Sequence, residues 1–368
     1  MNPLSILEKA SKEFFWILAG TRIPPNPSNP YYPSKKSSVL LLRPDRLGDF
    51  LLSAPAIRSL EKRLGSGHRL TLVAGERNQE AARVLFPKAK VLVFPKAPLK
   101  RMTLFLALAR GKYDAVIDMH SYPFSTTSAL LALLSGAPYR VGFWDRGGFG
   151  ELSRKVFNLG VAPPNENLHE KEKSLLLIKK LLPGIGKPKD SLLTFPPPSA
   201  KVRRSVKAFY ARMGLGKGAK VVAIHPTLQK ADNRWSQGNY LELVRRLGAM
   251  KDVKMVVIHG LGEDGELERF KELLENGPKV YILPQSDIFF ILEAAKRFDR
   301  LVCNDSGLMH LAAGVTRVLA VFGPSDPRRW GPLSLGRLKH MVFRAKDRHC
   351  DSVEPEQVAQ AVLRNFNK

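Results

Sequence analysis

Cysteine is nearly absent: Cys303 and Cys350 are the only two in 368 residues. That excludes a disulfide-stapled scaffold and a four-cysteine zinc site, and it fits a reducing compartment. Long apolar runs are missing too, and no stretch reaches the roughly 18–20 residues that a membrane-spanning helix needs. The best apolar run near the N-terminus, Phe14 to Ala19, is short. Glu8, Lys9, Lys12 and Glu13 crowd the residues before it, so it does not make a signal peptide. A cytoplasmic protein is the expectation. Acidic residues are scarce: 33 Asp and Glu stand against 59 Lys and Arg, a formal net charge of +26. Such an excess implies an anionic partner, whether nucleic acid, an acidic membrane face or a phosphorylated substrate. The basic residues are dispersed, however, and no recognised nucleic-acid motif accompanies them, so nucleic acid is not the expected partner.

Hydrophobic residues make up 44% of the chain, which excludes disorder and supplies more than one core. Residues 2–18 fit an amphipathic helix, with Asn2 as cap and Pro3 at its first position. It reads either as a helix docked on the body or as a membrane-surface anchor carrying Phe14, Phe15 and Trp16. The proline-rich stretch Pro24–Pro30 follows as a linker. From Ser38 the pattern alternates between short apolar runs and helical stretches. Strands are expected at 38–42, 69–73, 91–94 and 115–117, and helices at 50–64, 78–85, 102–110 and 126–135. Prolines and charges around 187–199 mark a second linker. The alternation then resumes, with strands at 220–224, 254–258, 279–283, 301–303 and 317–322, and helices at 239–250, 266–274, 288–297 and 307–313. A tail helix over 355–366 closes the chain. The expected fold is α/β: two Rossmann-like domains facing across a cleft, with boundaries at 37–190 and 200–350 and a C-terminal segment at 351–368.

Ligands in such sheets sit at the carboxyl ends of the strands, and four segments there carry chemistry. Arg46-Leu47-Gly48-Asp49 follows the first strand. Gly48 allows a tight turn, and Asp49 is either a helix cap or a general base for an acceptor hydroxyl. Asn304-Asp305-Ser306-Gly307-Leu308-Met309-His310 follows a strand and opens a helix, whose free N–H groups suit a phosphate. Asp305 would repel phosphate and so faces sugar hydroxyls, while His310 reads equally as a packed residue. His225-Pro226-Thr227 runs through Lys230 to Arg234 and Trp235; Lys230 and Arg234 are cations for a departing diphosphate or ordinary surface charge. Gly323-Pro324-Ser325-Asp326-Pro327 is a stiff loop followed by Arg328 and Arg329. Two further stretches mislead. His169-Glu170-Lys171-Glu172 lacks the second histidine of a zinc motif and reads as the solvated start of a helix. Gly260–Gly265 has its third glycine one residue early for a dinucleotide fingerprint, although Glu263 suits a ribose hydroxyl. No cluster has metal-ligand spacing.

These four segments, in this order, resemble the lipopolysaccharide heptosyltransferases of glycosyltransferase family 9, from about Ser38 to the C-terminus. The resemblance implies a GT-B fold whose C-terminal helix returns to the N-terminal domain. It implies inverting, metal-independent transfer from a nucleotide-activated heptose, usually ADP-heptose, with no cofactor. The acceptor it implies is the phosphorylated inner core of lipopolysaccharide at the cytoplasmic face of an anionic inner membrane. By the same resemblance Asp49 is the base, with Arg46 and Gly48 on the acceptor side. Asp305, Ser306, Gly307, Leu308 and His310 form the donor loop, with Thr227, Lys230, Arg234, Glu263 and Asp326 around it. The sequence departs from the family pattern in the segment after His225-Pro226: Thr227-Leu228-Gln229 follow where small, Gly-containing residues are usual, and Asn233 stands where lysine is common. Basic residues such as Lys62, Arg63, Lys96, Lys100 and Arg101 would attract the acceptor. The rival readings are transfer of a different sugar, a sugar-binding relative without catalysis, and a basic nucleic-acid-binding protein.

Overall fold

The structure is a computed structural model that describes residues 26–34, 36–121, 124–165, 167–186, 195–215, 218–228, 231–275, 277–334, 338–364 and 366. The helix expected over 2–18, part of the second linker and Lys230 lie outside the described residues. The chain divides into two compact units, Met1–Lys189 and Asp190–Lys368.

The first unit alternates strands and helices: β1 (Ser38–Arg43), α1 (Leu47–Leu64), β2 (Arg69–Gly75), α2 (Gln79–Leu85), β3 (Lys90–Phe94), α3 (Arg101–Arg110), β4 (Ala115–Asp118), α4 (Thr126–Leu134), β5 (Tyr139–Phe143), α5 (Gly150–Val156), β6 (Leu159–Val161) and α6 (Glu170–Leu181). All neighbouring strands pair in parallel, in the order β3-β2-β1-β4-β5-β6. Every residue of β1 is buried, as its unbroken apolar run requires of a strand covered on both faces. α1 packs on α6, where the Ser53 and Ser174 hydroxyls meet at 3.0 Å. At the edge strand β6, Gly160 is needed for contact: a Cβ there would lie 1.6 Å from the Trp144 indole nitrogen.

The second unit repeats the scheme: α7 (Ala200–Arg212), β7 (Lys220–Ile224), α8 (Gln237–Gly248), β8 (Val253–Val257), α9 (Asp264–Leu274), β9 (Val280–Ile282), α10 (Ile288–Ala295), β10 (Arg300–Asn304), α11 (Gly307–Ala312), β11 (Val318–Phe322), α12 (Pro327–Trp330), β12 (Met341–Arg344) and α13 (Pro355–Leu363). Its parallel sheet runs β12-β11-β10-β7-β8-β9. In each unit the strand order reverses beside the first strand, between β1 and β4 and between β7 and β10. Such a switch point opens a crevice at the carboxyl ends of the strands.

The described α13 spends its apolar face inside the second unit. Val358, Ala361 and Val362 join one core with Trp235, Tyr240, Val244 and Leu247, and α13 lies against α8. Gly48 does not form a tight turn: it lies within the first turn of α1, is buried, and is not among the glycines with positive φ.

Candidate active site

The first unit's switch point gathers charge around one buried guanidinium. Arg43 ends β1 with its side chain 2% exposed. It donates to Asp45 Oδ2 at 3.0 Å, to the Met119 carbonyl, and through Nε to the Asp49 carbonyl at 3.3 Å. Its remaining nitrogen, Nη2, lies 3.9 Å from Asp49 Oδ1 and makes no hydrogen bond. Asp49 is the third residue of α1 and its side chain is partly buried, 15% exposed. It accepts the Arg46 backbone N–H at 3.3 Å, a helix-capping duty. Burial nevertheless pushes its carboxyl above the usual range, despite Arg43, with Asp45 and Glu170 adding like charge.

β4 brings a histidine to the same place. His120 donates from Nδ1 to Asp45 Oδ1 at 3.0 Å, and its backbone N–H donates to Asp118 Oδ1 at 3.0 Å. Burial pulls the imidazole down, but the Asp45 bond and charge outweigh it and the net shift is upward. Burial raises the Asp45 carboxyl too, yet His120 and Arg43 bring it below the ordinary value. Asp118, 3% exposed, is pushed by burial up to about 7. Asp45, Asp118 and His120 were not singled out in the sequence, because only the β1–β4 pairing puts them together. Glu170 also departs from expectation. The helix begins there, capped by His169, but Glu170 is buried rather than solvated and binds the Lys173 ammonium at 2.8 Å.

Farther along the same sheet edge, beyond β5 and β6, lies an open depression of about 620 Å³. It is lined by Trp144, Arg146, Arg154 and Pro163, among others. The Arg154 guanidinium covers the Trp144 ring at 4.5 Å, and the indole N–H is fixed to the Phe157 carbonyl at 3.1 Å. Asp145 and Glu151 line it too, so two carboxylates stand beside the two arginines. Trp144, Arg146 and Arg154 were not singled out in the sequence, and only the clustering of Trp and Arg at 144–154 hinted at them.

The second unit's switch point holds a linear chain of hydrogen bonds. His225, just after β7, donates from Nε2 to Glu263 Oε2 at 2.9 Å. Its Nδ1 then accepts from the Ser306 hydroxyl at 3.3 Å. The same Glu263 oxygen takes the Thr227 hydroxyl at 2.6 Å and the Gly260 N–H at 2.7 Å. Burial would raise this carboxyl, but the donors more than offset it and bring it down to about 2. Ser306 caps α11 and accepts the Met309 N–H at 3.2 Å. Gly307 and Leu308 are the first two residues of this helix, whose first four N–H groups have no partner within it. Asp305 accepts from the Asn233 side chain at 3.4 Å, and Asn233 also reaches Ser325 at 3.3 Å.

Other expected donor residues are occupied or hidden. Arg234 is paired with Glu266. Asp326 caps α12 and binds Arg328 and Arg344; the Arg328 hydrogen bond leads the causes that hold its carboxyl at about 2. His310 is buried. Gly323 keeps the loop after β11 close to its neighbours, since a Cβ there would sit 2.7 Å from the Cys350 sulfur. Among the described residues, no group of three or more His, Cys, Asp or Glu is placed to hold a metal.

The model of glycosyltransferase family 9 (heptosyltransferase) matches residues 101–359, well over half of the chain. The chain belongs to glycosyltransferase family 9. It is therefore a glycosyltransferase of the heptosyltransferase family. Among curated relatives, lipopolysaccharide heptosyltransferase 2 of Escherichia coli strain K12 is 27% identical over 252 residues, 64% of this chain and 67% of the relative. The family's fold is shared as well. A family 9 glycosyltransferase from Veillonella parvula DSM 2008 superposes with a TM-score of 0.74 at 20% identity, covering 91% of this chain and 99% of that one. The E. coli ADP-heptose lipopolysaccharide heptosyltransferase II gives 0.67 at 21% identity, covering 90% and 100%. The two parallel six-stranded sheets with flanking helices are thus a GT-B arrangement.

Proposed function

We propose that the chain transfers a heptose from ADP-heptose to the phosphorylated inner core of lipopolysaccharide, with inversion and without a metal, at the cytoplasmic face of an anionic membrane. The observation that carries this reading is Asp49: a partly buried carboxylate with a raised pKa, held at a switch point by a buried guanidinium. A base must take up a proton, and a carboxyl raised above its ordinary value takes one more readily. The relatives named for lipopolysaccharide and ADP-heptose supply the classes of acceptor and donor.

Asp49 takes the proton of the acceptor hydroxyl as that oxygen bonds to the anomeric carbon. The bond from that carbon to the diphosphate oxygen breaks, and its electron pair leaves with the nucleotide. The Gly307 and Leu308 amides stabilise the growing negative charge. Glu263 and His225 act behind them, fixing Ser306 and Thr227 and so the shape of the donor loop. Asp305 receives donor hydroxyls. Arg234 reaches the diphosphate by exchanging Glu266 for it. Inversion follows from a single displacement.

One residue favours a second reading of the donor. Asn233 offers Asp305 a neutral amide where the family commonly has a lysine, which suits a different nucleotide sugar. Incubation with ADP-heptose, UDP-sugars and GDP-sugars beside an inner-core acceptor, read by mass spectrometry, decides between them. The expected product is the heptosylated acceptor, of inverted anomeric configuration, formed at an unchanged rate in a chelator. Release of nucleotide from none of the donors overturns the reading.

A further inference from the structure

Helix α3 is apolar on the wrong side. Leu104 and Leu108 are buried and hold it to the first unit. An ordinary surface helix would be polar opposite them. Here the opposite face carries Met102 and Leu106, 58% and 47% exposed, and the 3-10 turn before it (Pro98–Lys100) adds Leu99 at 93%. The spacing of 102 and 106 aligns them on one stripe. Exposed apolar groups clustered in this way mark an interaction surface rather than a solvated one.

The charge around the stripe says what it meets. From Lys88 to Lys112 the chain carries seven Lys or Arg and no Asp or Glu. Lys96 and Lys100 stand exposed ahead of the helix, and Arg110 and Lys112 at its far end. Arg101 is half-buried: it folds back over the Phe94 ring and donates to the Pro95 and Lys96 carbonyls, stiffening the turn that presents Leu99. One acid approaches, Glu76, and its side chain accepts the Lys96 backbone N–H. Apolar side chains flanked by cations complement a bilayer interface of anionic lipid, whose headgroups attract Lys and Arg while the acyl boundary takes Leu and Met.

We propose that the outward face of α3 and the turn before it, Leu99, Met102 and Leu106 flanked by Lys96, Lys100, Arg110 and Lys112, dock the enzyme on an anionic lipid surface. This deepens the reading of a membrane-borne acceptor and rests on it. It gives the first unit, which carries the base, its own attachment to the membrane.

The test is sedimentation of the full chain with vesicles of phosphatidylcholine containing phosphatidylglycerol, beside vesicles of phosphatidylcholine alone. The wild type should bind the anionic vesicles and lose part of that binding in high salt. The variant L99D/M102D/L106D should bind at least tenfold more weakly. K96Q/K100Q/K112Q should lose binding at about fivefold per lysine in low salt and little in high salt. Leu99, Met102 and Leu106 are exposed, so the aspartate variant should match wild type in circular dichroism and in heptosyl transfer to a short, lipid-free acceptor. Wild-type binding by the aspartate variant overturns the proposal, as does a wild type that ignores both vesicles. So does a solution dimer that the aspartate substitutions convert to monomer, because the stripe then belongs to a second copy. Failure of the proposed activity shows separately, as absent transfer to the lipid-free acceptor.

Discussion

The two switch points share one topology and treat charge differently. In the first unit, burial drives Asp49 and Asp118 upward, Asp118 to about 7, while His120 and Arg43 draw Asp45 down. In the second, Glu263 is brought down to about 2 by His225, Thr227 and a backbone N–H, so its charge is fixed over the whole physiological range. The difference follows from how many donors each carboxylate is given. Asp49 and Asp118 each accept a single backbone N–H, while Glu263 accepts three donors on one oxygen.

Replacing the proposed base is the strongest way to break the contrast. Asp49→Asn should lower transfer by about 10²–10⁴-fold, the usual worth of general-base catalysis. Nucleotide affinity, measured by calorimetry, should stay within twofold of wild type. Loss of both together would place Asp49 in donor binding.

Glu263→Gln attacks the other edge. It keeps the shape but removes the charge that His225 and Thr227 bind. Donor affinity should fall by about tenfold, while the acid limb of the pH–rate profile stays in place. Stability supplies an independent reading. The folded value of about 2 lies below the ordinary 4.5, so the wild-type stabilisation is complete above pH 4.5 and is lost as pH falls toward 2. The shift corresponds to about 3 kcal/mol. Chemical denaturation across that window should show the loss in wild type and a much flatter profile in Glu263→Gln. Asp118 has the reverse sign: its contribution is present below the ordinary value of 3.8 and fades as pH rises to about 7.

Arg43 tests the first unit's edge more gently. Its charge opposes the burial that raises Asp49. Arg43→Gln should therefore move the acid limb of the pH–rate profile to higher pH, and Arg43→Lys should restore much of it. A guanidinium that only supports packing would change stability and leave the limb where it was.

How far these edges could be read beforehand depends on distance along the chain. The βα alternation and the loops after β1, β7, β10 and β11 are local patterns of apolar runs ended by Gly, Asp and Ser, and they stood out. So did Asp49 and the Ser306 loop. The Asp45–His120 pair did not, because its members are 75 residues apart and meet only when β4 lies beside β1. Strands β5, β6 and β12 were missed for a different reason. β5 contains Arg140 and Gly142, β6 is three residues long, and β12 is half exposed, so none forms an apolar run. With β5 and β6 unseen, the depression at Trp144 had no walls to belong to. Arg234 and Asp326 were legible as charges near a loop, but their partners Glu266, Arg328 and Arg344 were not.

That last point yields the smallest effect expected. Asp326 caps the short helix after β11 and is bound by two arginines, which hold its carboxyl at about 2. All of its demonstrated partners belong to its own loop and to β12. Asp326→Asn keeps the cap, since asparagine serves as well at that position, and weakens only ion pairs at a largely solvated site. Nucleotide affinity should therefore change by less than twofold, against about tenfold for Glu263→Gln, although both acids follow strands of the same sheet. A tenfold loss for Asp326→Asn would mean that the arginines release it to the donor. Fixed charge at this edge would then extend one loop beyond the His225–Ser306 chain.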